Sequence, residues 1–158
     1  MIDLVRLDLS DRRIAEAVLR LQQRAYRIEA DLIGSDGIPP LQETLEELQT
    51  CGETFLGAID DGELIGAISW RFCDATIDIH RLVVHPDRFR RRIGTALVHG
   101  ALEAEPQAEK AIVQTGAQNA PATALYEREG FEHLDEIDVG GGLRVARFAK
   151  RLRSPTQE

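Results

Sequence analysis

The stretch that most constrains this sequence runs from Thr76 to Ala104 and reads T-I-D-I-H-R-L-V-V-H-P-D-R-F-R-R-R-I-G-T-A-L-V-H-G-A-L-E-A. Thr76 to Val84 is β-branched and apolar with polar residues between, which predicts a strand. His85-Pro86-Asp87 predicts a turn, because proline fixes φ and donates no backbone hydrogen bond. From Ile93 onward, Ile93, Ala96, Leu97, Gly100 and Ala101 recur at helical spacing. Between strand and helix stand Arg88, Arg90, Arg91 and Arg92, followed by Gly94. A helix start offers unpaired N–H groups and the positive end of a dipole. Arginines around it make an anion site, and phosphate is the natural anion.

The flanking chain predicts an ordered series of elements. Ile2 to Leu7 alternates as a strand. Ser10 or Asp11 can cap a helix carrying Ile14, Ala17, Val18, Leu21 and Ala25. Gly34-Ser35-Asp36-Gly37 and Pro39-Pro40 end it. A second helix is expected over Leu41 to Gln49, with Leu41, Leu45 and Leu48 on one face. Asp60-Asp61-Gly62 between alternating runs, Thr54 to Ile59 and Glu63 to Phe72, signals a hairpin. Asp74-Ala75 turns the chain into the central strand, giving an antiparallel meander. Another strand follows over Ala111 to Thr115. A helix then starts at Asn119-Ala120-Pro121 and ends at Gly130. Two last strands, Leu134 to Val139 and Leu143 to Leu152, are joined by Gly140-Gly141-Gly142.

A chain of 158 residues suits one domain, residues 1–153, with a frayed tail over 154–158. No apolar run is long enough for a membrane span and no leader pattern opens the sequence. Cys51 and Cys73 form no zinc or C-x-x-C spacing, so free thiols in a reducing cytoplasm are expected, and no metal. The net charge of −8 argues against nucleic acid as a partner. His85, His99 and His133 show no metal spacing.

A second constellation lies downstream: Asn119, then Tyr126 seven residues on, then Gly130-Phe131. With the Val84-His85-Pro86 turn and Gly94, these residues resemble the acetyl-CoA-binding core of the GCN5-related N-acetyltransferases (GNAT). That core is a strand, a V-H-P turn, Q/R-x-x-G-x-G/A opening a helix, and later N-x(6)-Y with G-F. The resemblance covers Thr76 to Phe131. This chain departs from it at Phe89, where the family has Gln or Arg, and at Arg92, where it has Gly. The glycines let the family's backbone close on a pyrophosphate. Arg92 adds a Cβ and a guanidinium, so binding is expected to survive with some loss of close N–H contact.

The resemblance implies a GNAT fold of the α/β (α+β) class. It is a mixed, largely antiparallel sheet of six to seven strands with about four helices on both faces. It also implies an N-acetyltransferase that moves an acetyl group from acetyl-CoA to a primary amine by direct attack. The acceptor, a small molecule or a peptide, is not legible. In the family the first helix–loop–helix lies beside the acceptor, which makes Tyr26, Glu29, Asp31, Asp36 and Glu43 contact candidates. For Glu29, Asp31 and Glu43, a solvated helix face competes with that reading. The strand at Leu82, Val83 and Val84 would pair with the pantetheine arm. Phe89, Arg90, Arg91, Arg92, Ile93, Gly94 and Thr95 would hold the pyrophosphate, and Asn119 the cofactor arm. Tyr126 would protonate the departing thiolate, since a phenol near pKa ~10 lies a little above a thiol near ~8.5. A core tyrosine and a plain helix cap are the competing readings of Tyr126 and Asn119.

The base is open between Asp78 and His80. Asp78 matches the family's catalytic glutamate, but a carboxylate near pKa ~3.9 needs burial or a water relay. His80 is better poised, and shares the face of Asp78 unless a bulge intervenes. Relatives that modify ribosomal proteins place a glutamate where this chain has Gln114, which cannot act as a base. Two rivals remain: a non-catalytic acyl-CoA-binding or sensing module of the same fold, and an anion or nucleic-acid binder using Arg88 to Arg92. The family often dimerises, so the resemblance also allows a homodimer.

Overall fold

The computed structural model describes residues 2–33, 43–117 and 119–152; of residues 26, 28–33 and 89–91 it describes the backbone alone. Among the described residues, seven strands form one sheet in the order β1-β2-β3-β4-β5-β7-β6. They are β1 (Ile2–Leu7), β2 (Thr54–Asp60), β3 (Glu63–Cys73), β4 (Thr76–Val84), β5 (Lys110–Gly116), β6 (Glu132–Asp138) and β7 (Arg144–Arg151). The helices are α1 (Arg12–Ile33), α2 (Leu45–Gln49), α3 (Ile93–Ala104) and α4 (Ala120–Arg128). Only β4 and β5 run parallel; the other pairs are antiparallel. This is the mixed sheet expected from the sequence.

Local chemistry fixes the boundaries. The Asp11 carboxylate accepts the Arg13 N–H at 2.9 Å and starts α1, while Ser10 turns back to Asp8 instead. Helix α2 is shorter than the apolar spacing predicts. Thr44 accepts the Glu47 N–H at 3.1 Å, and Glu47 accepts the Thr44 N–H at 2.8 Å. This capping box stops the helix at Leu45, leaving Glu43 outside it, and Leu41 lies outside the described residues. In the β2–β3 hairpin Asp61 and Gly62 both have positive φ, as a two-residue type I′ turn needs. Asp74 and Ala75 repeat that conformation between β3 and β4.

Two cores flank the sheet. On one face α3 and α4 set Ile93, Leu97, Val98 and Tyr126 against Ile65, Ile68, Trp70, Ile77 and Ile79. On the other, α1 and α2 set Val18, Leu21 and Leu48 against Phe55, Ala67 and Val83. Each such buried aliphatic side chain stabilises the fold by roughly 1.5–3 kcal/mol. Gly66 lets α3 approach closely, since a Cβ there would come within 2.9 Å of both Ile93 and Leu97.

Candidate active site

The sheet parts in the middle. β4 pairs with β5 from Thr76↔Lys110 to Ile79↔Val113 and no further. Beyond that point β5 keeps its register with β7 to Gly116↔Val145, and β4 keeps its register with β3 to Val84↔Gly66. From His80 to Val84 the β5-facing edge of β4 therefore has no ladder partner in β5. Such an edge can take up an extended polar chain as an added strand. Leu82 and Val84 are partly buried toward α3 and α4, while Val83 packs on α1.

The groove points at the start of α3. After His85 the chain forms a 3-10 turn over Pro86–Arg91, rather than the single tight turn read from the sequence. Arg92 then adopts the left-handed conformation, φ 57° and ψ 29°, and caps α3 with no side-chain hydrogen bond. That conformation favours glycine, the residue the family pattern carries here, yet this chain adopts it with an arginine. The first N–H groups of α3, at Ile93, Gly94 and Thr95, thus have no capping side chain, and the exposed Arg92 stands beside them. Ile93 itself is buried, so only its backbone faces this site. A Cβ on Gly94 would lie 3.4 Å from Leu125, 3.8 Å from Val84 and 4.0 Å from Leu82. The first turn of α3, α4 and the end of β4 therefore meet at Gly94. Phe89, Arg90 and Arg91 lie in the 3-10 turn, with side chains outside the described residues. Arg88 does not join an anion site: it donates to Asp60 at 2.8 Å and lies 3.5 Å from Glu63.

Both base candidates sit where the strand changes phase. A β-bulge leaves Ile79 opposite Trp70 and Arg81 opposite Ser69, with His80 as the extra residue. The bulge intervenes, yet it does not separate the pair. His80 Nε2 lies 3.3 Å from the Asp78 carboxylate, and Nδ1 lies 3.5 Å from Glu53. The His80 side chain is 33% exposed and that of Asp78 49% exposed, so both can reach solvent.

Beside them is a polar knot that the sequence reading missed. Arg81, with its side chain 10% exposed, donates to Glu53 at 2.8 Å, to Glu43 at 2.9 Å and to Gln22 at 3.0 Å. Gln22 donates to Glu43 at 2.6 Å, and Ser69 donates to Glu53 at 2.7 Å. The guanidinium carbon lies 5.6 Å from the centre of the Phe55 ring. Burial works against ionisation of Glu53, but the Arg81 and Ser69 hydrogen bonds outweigh it and hold its carboxyl below the ordinary range. Burial likewise opposes the Arg81 charge, and the bonds to Glu43 and Glu53 override it and raise its pKa. Glu43 is therefore neither a solvated helix charge nor a free acceptor contact. The signal available in the sequence was Arg81 itself, which breaks the apolar alternation of Ile77, Ile79 and Val83.

On α4, Asn119 is the cap, its side-chain oxygen accepting the Ala122 N–H at 3.3 Å. Tyr126 follows two turns on and is 3% exposed. Its ring packs edge-on against Phe131, centroids 5.4 Å apart, and tilted against Phe148 at 5.9 Å. Gln114 stands exposed on β5 just past the parting. Tyr26 and Glu29 lie on the C-terminal half of α1, their side chains, like that of Asp31, outside the described residues; so is Asp36 altogether. Among the described residues no group of three or more His, Cys, Asp or Glu is arranged to hold a metal. No helix among them is long and apolar enough to cross a membrane.

The fold is one that solved acetyltransferases share. The PaiA N-acetyltransferase from Thermoplasma acidophilum, solved with coenzyme A, superposes with a TM-score of 0.75 at 18% identity, covering 96% of this chain and 99% of that one. The acetyltransferase (GNAT) family matches residues 15–131, and the chain belongs to that family. The UPF0157 protein YqkA of Bacillus subtilis is 41% identical over 135 residues, 85% of this chain and 39% of that protein. The mycothiol acetyltransferase of Mycolicibacterium vanbaalenii is 31% identical over 141 residues, 81% of this chain and 47% of that protein. The chain spans less than half the length of the curated relatives it matches.

Proposed function

We propose that the chain transfers an acetyl group from acetyl-CoA to a primary amine. The observation that carries this reading is the parting of β4 from β5 after Ile79 and Val113, which aims an unpaired strand edge at the uncapped start of α3. Membership of the acetyltransferase family supports it, as do a relative named for mycothiol acetylation and a fold neighbour solved with coenzyme A. The edge over Leu82 to Val84 would pair with the pantetheine amides. The N–H groups of Ile93, Gly94 and Thr95, with Arg92 and the turn at Phe89, Arg90 and Arg91, would hold the pyrophosphate. Asn119 would contact the arm from the start of α4.

An alkyl ammonium has a pKa near ~10.4, so freeing its lone pair at pH 7 costs about 4–5 kcal/mol. In this reading the proton passes to His80 or Asp78, directly or through water. The amine nitrogen attacks the thioester carbonyl carbon, and the oxyanion collapses with cleavage of the C–S bond. The departing thiolate takes a proton from the Tyr126 phenol, and the second proton of the attacking nitrogen leaves as the amide forms and restores the phenol, directly or through water. The acceptor enters from the α1–α2 side, with Tyr26 and Glu29 as contacts.

The burial of Tyr126 favours one alternative, a non-catalytic acyl-CoA-binding module in which the phenol serves the core. A screen of acetyl-CoA consumption over a panel of amines tests the transfer, with a CoA thermal shift alongside. Consumption with at least one amine is the expected result. A CoA shift with no turnover on any amine favours the binding module, and no CoA shift at all refutes both.

A further inference from the structure

A cleft of about 350 Å³ opens on the α1 side of the sheet, away from the parted strands, between α1, the β2–β3 hairpin and His85. Its floor is apolar, formed by Ala17, Leu21 and Leu64. Arg20 and Arg24 stand one helical turn apart at its rim, both exposed and without an ion-pair partner among the described residues. His85 closes one wall, 8% exposed. Its Nδ1 accepts the Asp87 N–H at 3.2 Å, which leaves the ring proton on Nε2 as a donor. Glu63 lines the cleft too, but Arg88 lies 3.5 Å from it and donates to Asp60 at 2.8 Å. Among the side chains that line the cleft, the guanidinium groups of Arg20 and Arg24 thus stand against one carboxylate, Glu63. One positive charge is left over in a chain whose net charge is −8.

We propose that this cleft binds a small organic monocarboxylate, its head between Arg20 and Arg24 and its apolar body on Ala17, Leu21 and Leu64. One surplus positive charge matches a monoanion, and two guanidinium forks match the planar oxygens of a carboxylate. The apolar floor selects an organic ligand over an inorganic ion, in a volume usual for small-molecule sites. The site is separate from the cofactor groove and does not depend on acetyl transfer. His85 links it to that groove, because the same residue begins the turn that leads to α3 and donates its N–H to Ile65 at 2.7 Å.

The test is direct binding by fluorine NMR with 4-fluorobenzoate as the probe and no cofactor present. Saturable line broadening is expected for the wild type. It should weaken about tenfold or more in the Arg20→Gln, Arg24→Gln double variant, since both charge-assisted contacts are lost. An Arg13→Gln control on the same helix should bind as the wild type does. The exposed arginines leave the fold intact, which an unchanged melting temperature verifies. Absence of saturable binding overturns the proposal, as does equal binding by the double variant. Displacement of the probe by inorganic phosphate at equal concentration and ionic strength overturns the monocarboxylate selectivity. Displacement by coenzyme A assigns the cleft to the cofactor and overturns it as a separate site.

Discussion

Replacing Arg81 by Met removes the guanidinium and keeps the length of the stem. In the wild type that group answers Glu43, Glu53 and Gln22, with the Arg81, Glu43 and Glu53 side chains 10%, 14% and 7% exposed. A surface ion pair is worth about 0–1 kcal/mol, whereas removing one partner of a buried pair costs about 3–5 kcal/mol. Burial places this knot in the second class, so Arg81→Met should destabilise by roughly 3–5 kcal/mol. For a domain of this size that lowers Tm by roughly 6–20 °C. The loss should also depend on pH. In the wild type the Glu53 carboxyl is held below its ordinary range, so its contribution is full above the unfolded value and fades as pH falls. Without Arg81, burial is left to dominate and raises the folded value above the unfolded one, which penalises folding only where the carboxyl must ionise. Both effects make the gap between variant and wild type largest near neutrality and smaller toward pH ~4. Urea unfolding at pH 7, 5.5 and 4 reads this directly. Adding Glu43→Gln and Glu53→Gln to Arg81→Met should recover much of the loss, because no buried charge is then left alone. A cost below about 1 kcal/mol at pH 7, or a cost that does not change with pH, would falsify the assignment of this knot as a buried ionic unit.

Three further outcomes are expected. Tyr126→Phe should lower turnover with little effect on acetyl-CoA binding measured by calorimetry; unchanged turnover removes the phenol from the mechanism. Arg92→Glu should weaken CoA binding by placing negative charge at the start of α3, while Arg92→Gly should keep or raise Tm, since a non-glycine residue at φ 57° carries about 1–2 kcal/mol of strain. Ala75→Gly, at φ 58° in a remote turn, is the control that should change Tm without changing CoA affinity. In the wild type, Glu53→Gln should flatten the loss of Tm between neutral pH and pH values below ~4.3, because the stability tied to a lowered carboxyl pKa disappears in that window. A Glu53→Gln protein whose melting curve follows the wild-type pH trend would contradict this.

The fold was legible where local chemistry and burial agree. Asp61-Gly62 specifies its hairpin turn whatever surrounds it, and the strand and helix of Thr76 to Ala104 form where the sequence places them, although a bulge at His80 breaks the strand's period. The start of α2 was not legible, because Leu41 continues a helical stripe that the Thr44 cap interrupts. A side-chain hydrogen bond of that kind outcompetes one more helical turn. The candidate site divides in the same way. Asn119 and Tyr126 come from one helix, and their spacing sets their relation. Glu53 and Arg81 are 28 residues apart. Only the pairing of β4 with β3, and the approach of α1 and α2, brings them together. The competition of Asp60 and Glu63 for Arg88 is equally non-local, so a run of arginines read as one anion site loses a member to the β2–β3 hairpin.

The bulge at His80 ties these observations into one argument about β4. An unbroken strand would send Ile77, Ile79, Arg81 and Val83 to the same face. The extra residue shifts the phase by one. Ile77 and Ile79 stay in the core beneath α3 and α4, while Arg81 turns to Glu43 and Glu53 and Val83 turns to Leu21. Pairing with β5 stops at the residue just before the bulge. Extra twist from a bulge is what carries one strand away from its neighbour, so the irregularity that faces His80 toward Asp78 is also the physical cause of the open groove. Deleting His80 should then leave Arg81 on the α1 face, because in a regular strand it would follow Ile79 directly, and should remove the twist that parts β4 from β5. With His80 present, the bulge both opens the groove and keeps Arg81 in the polar knot.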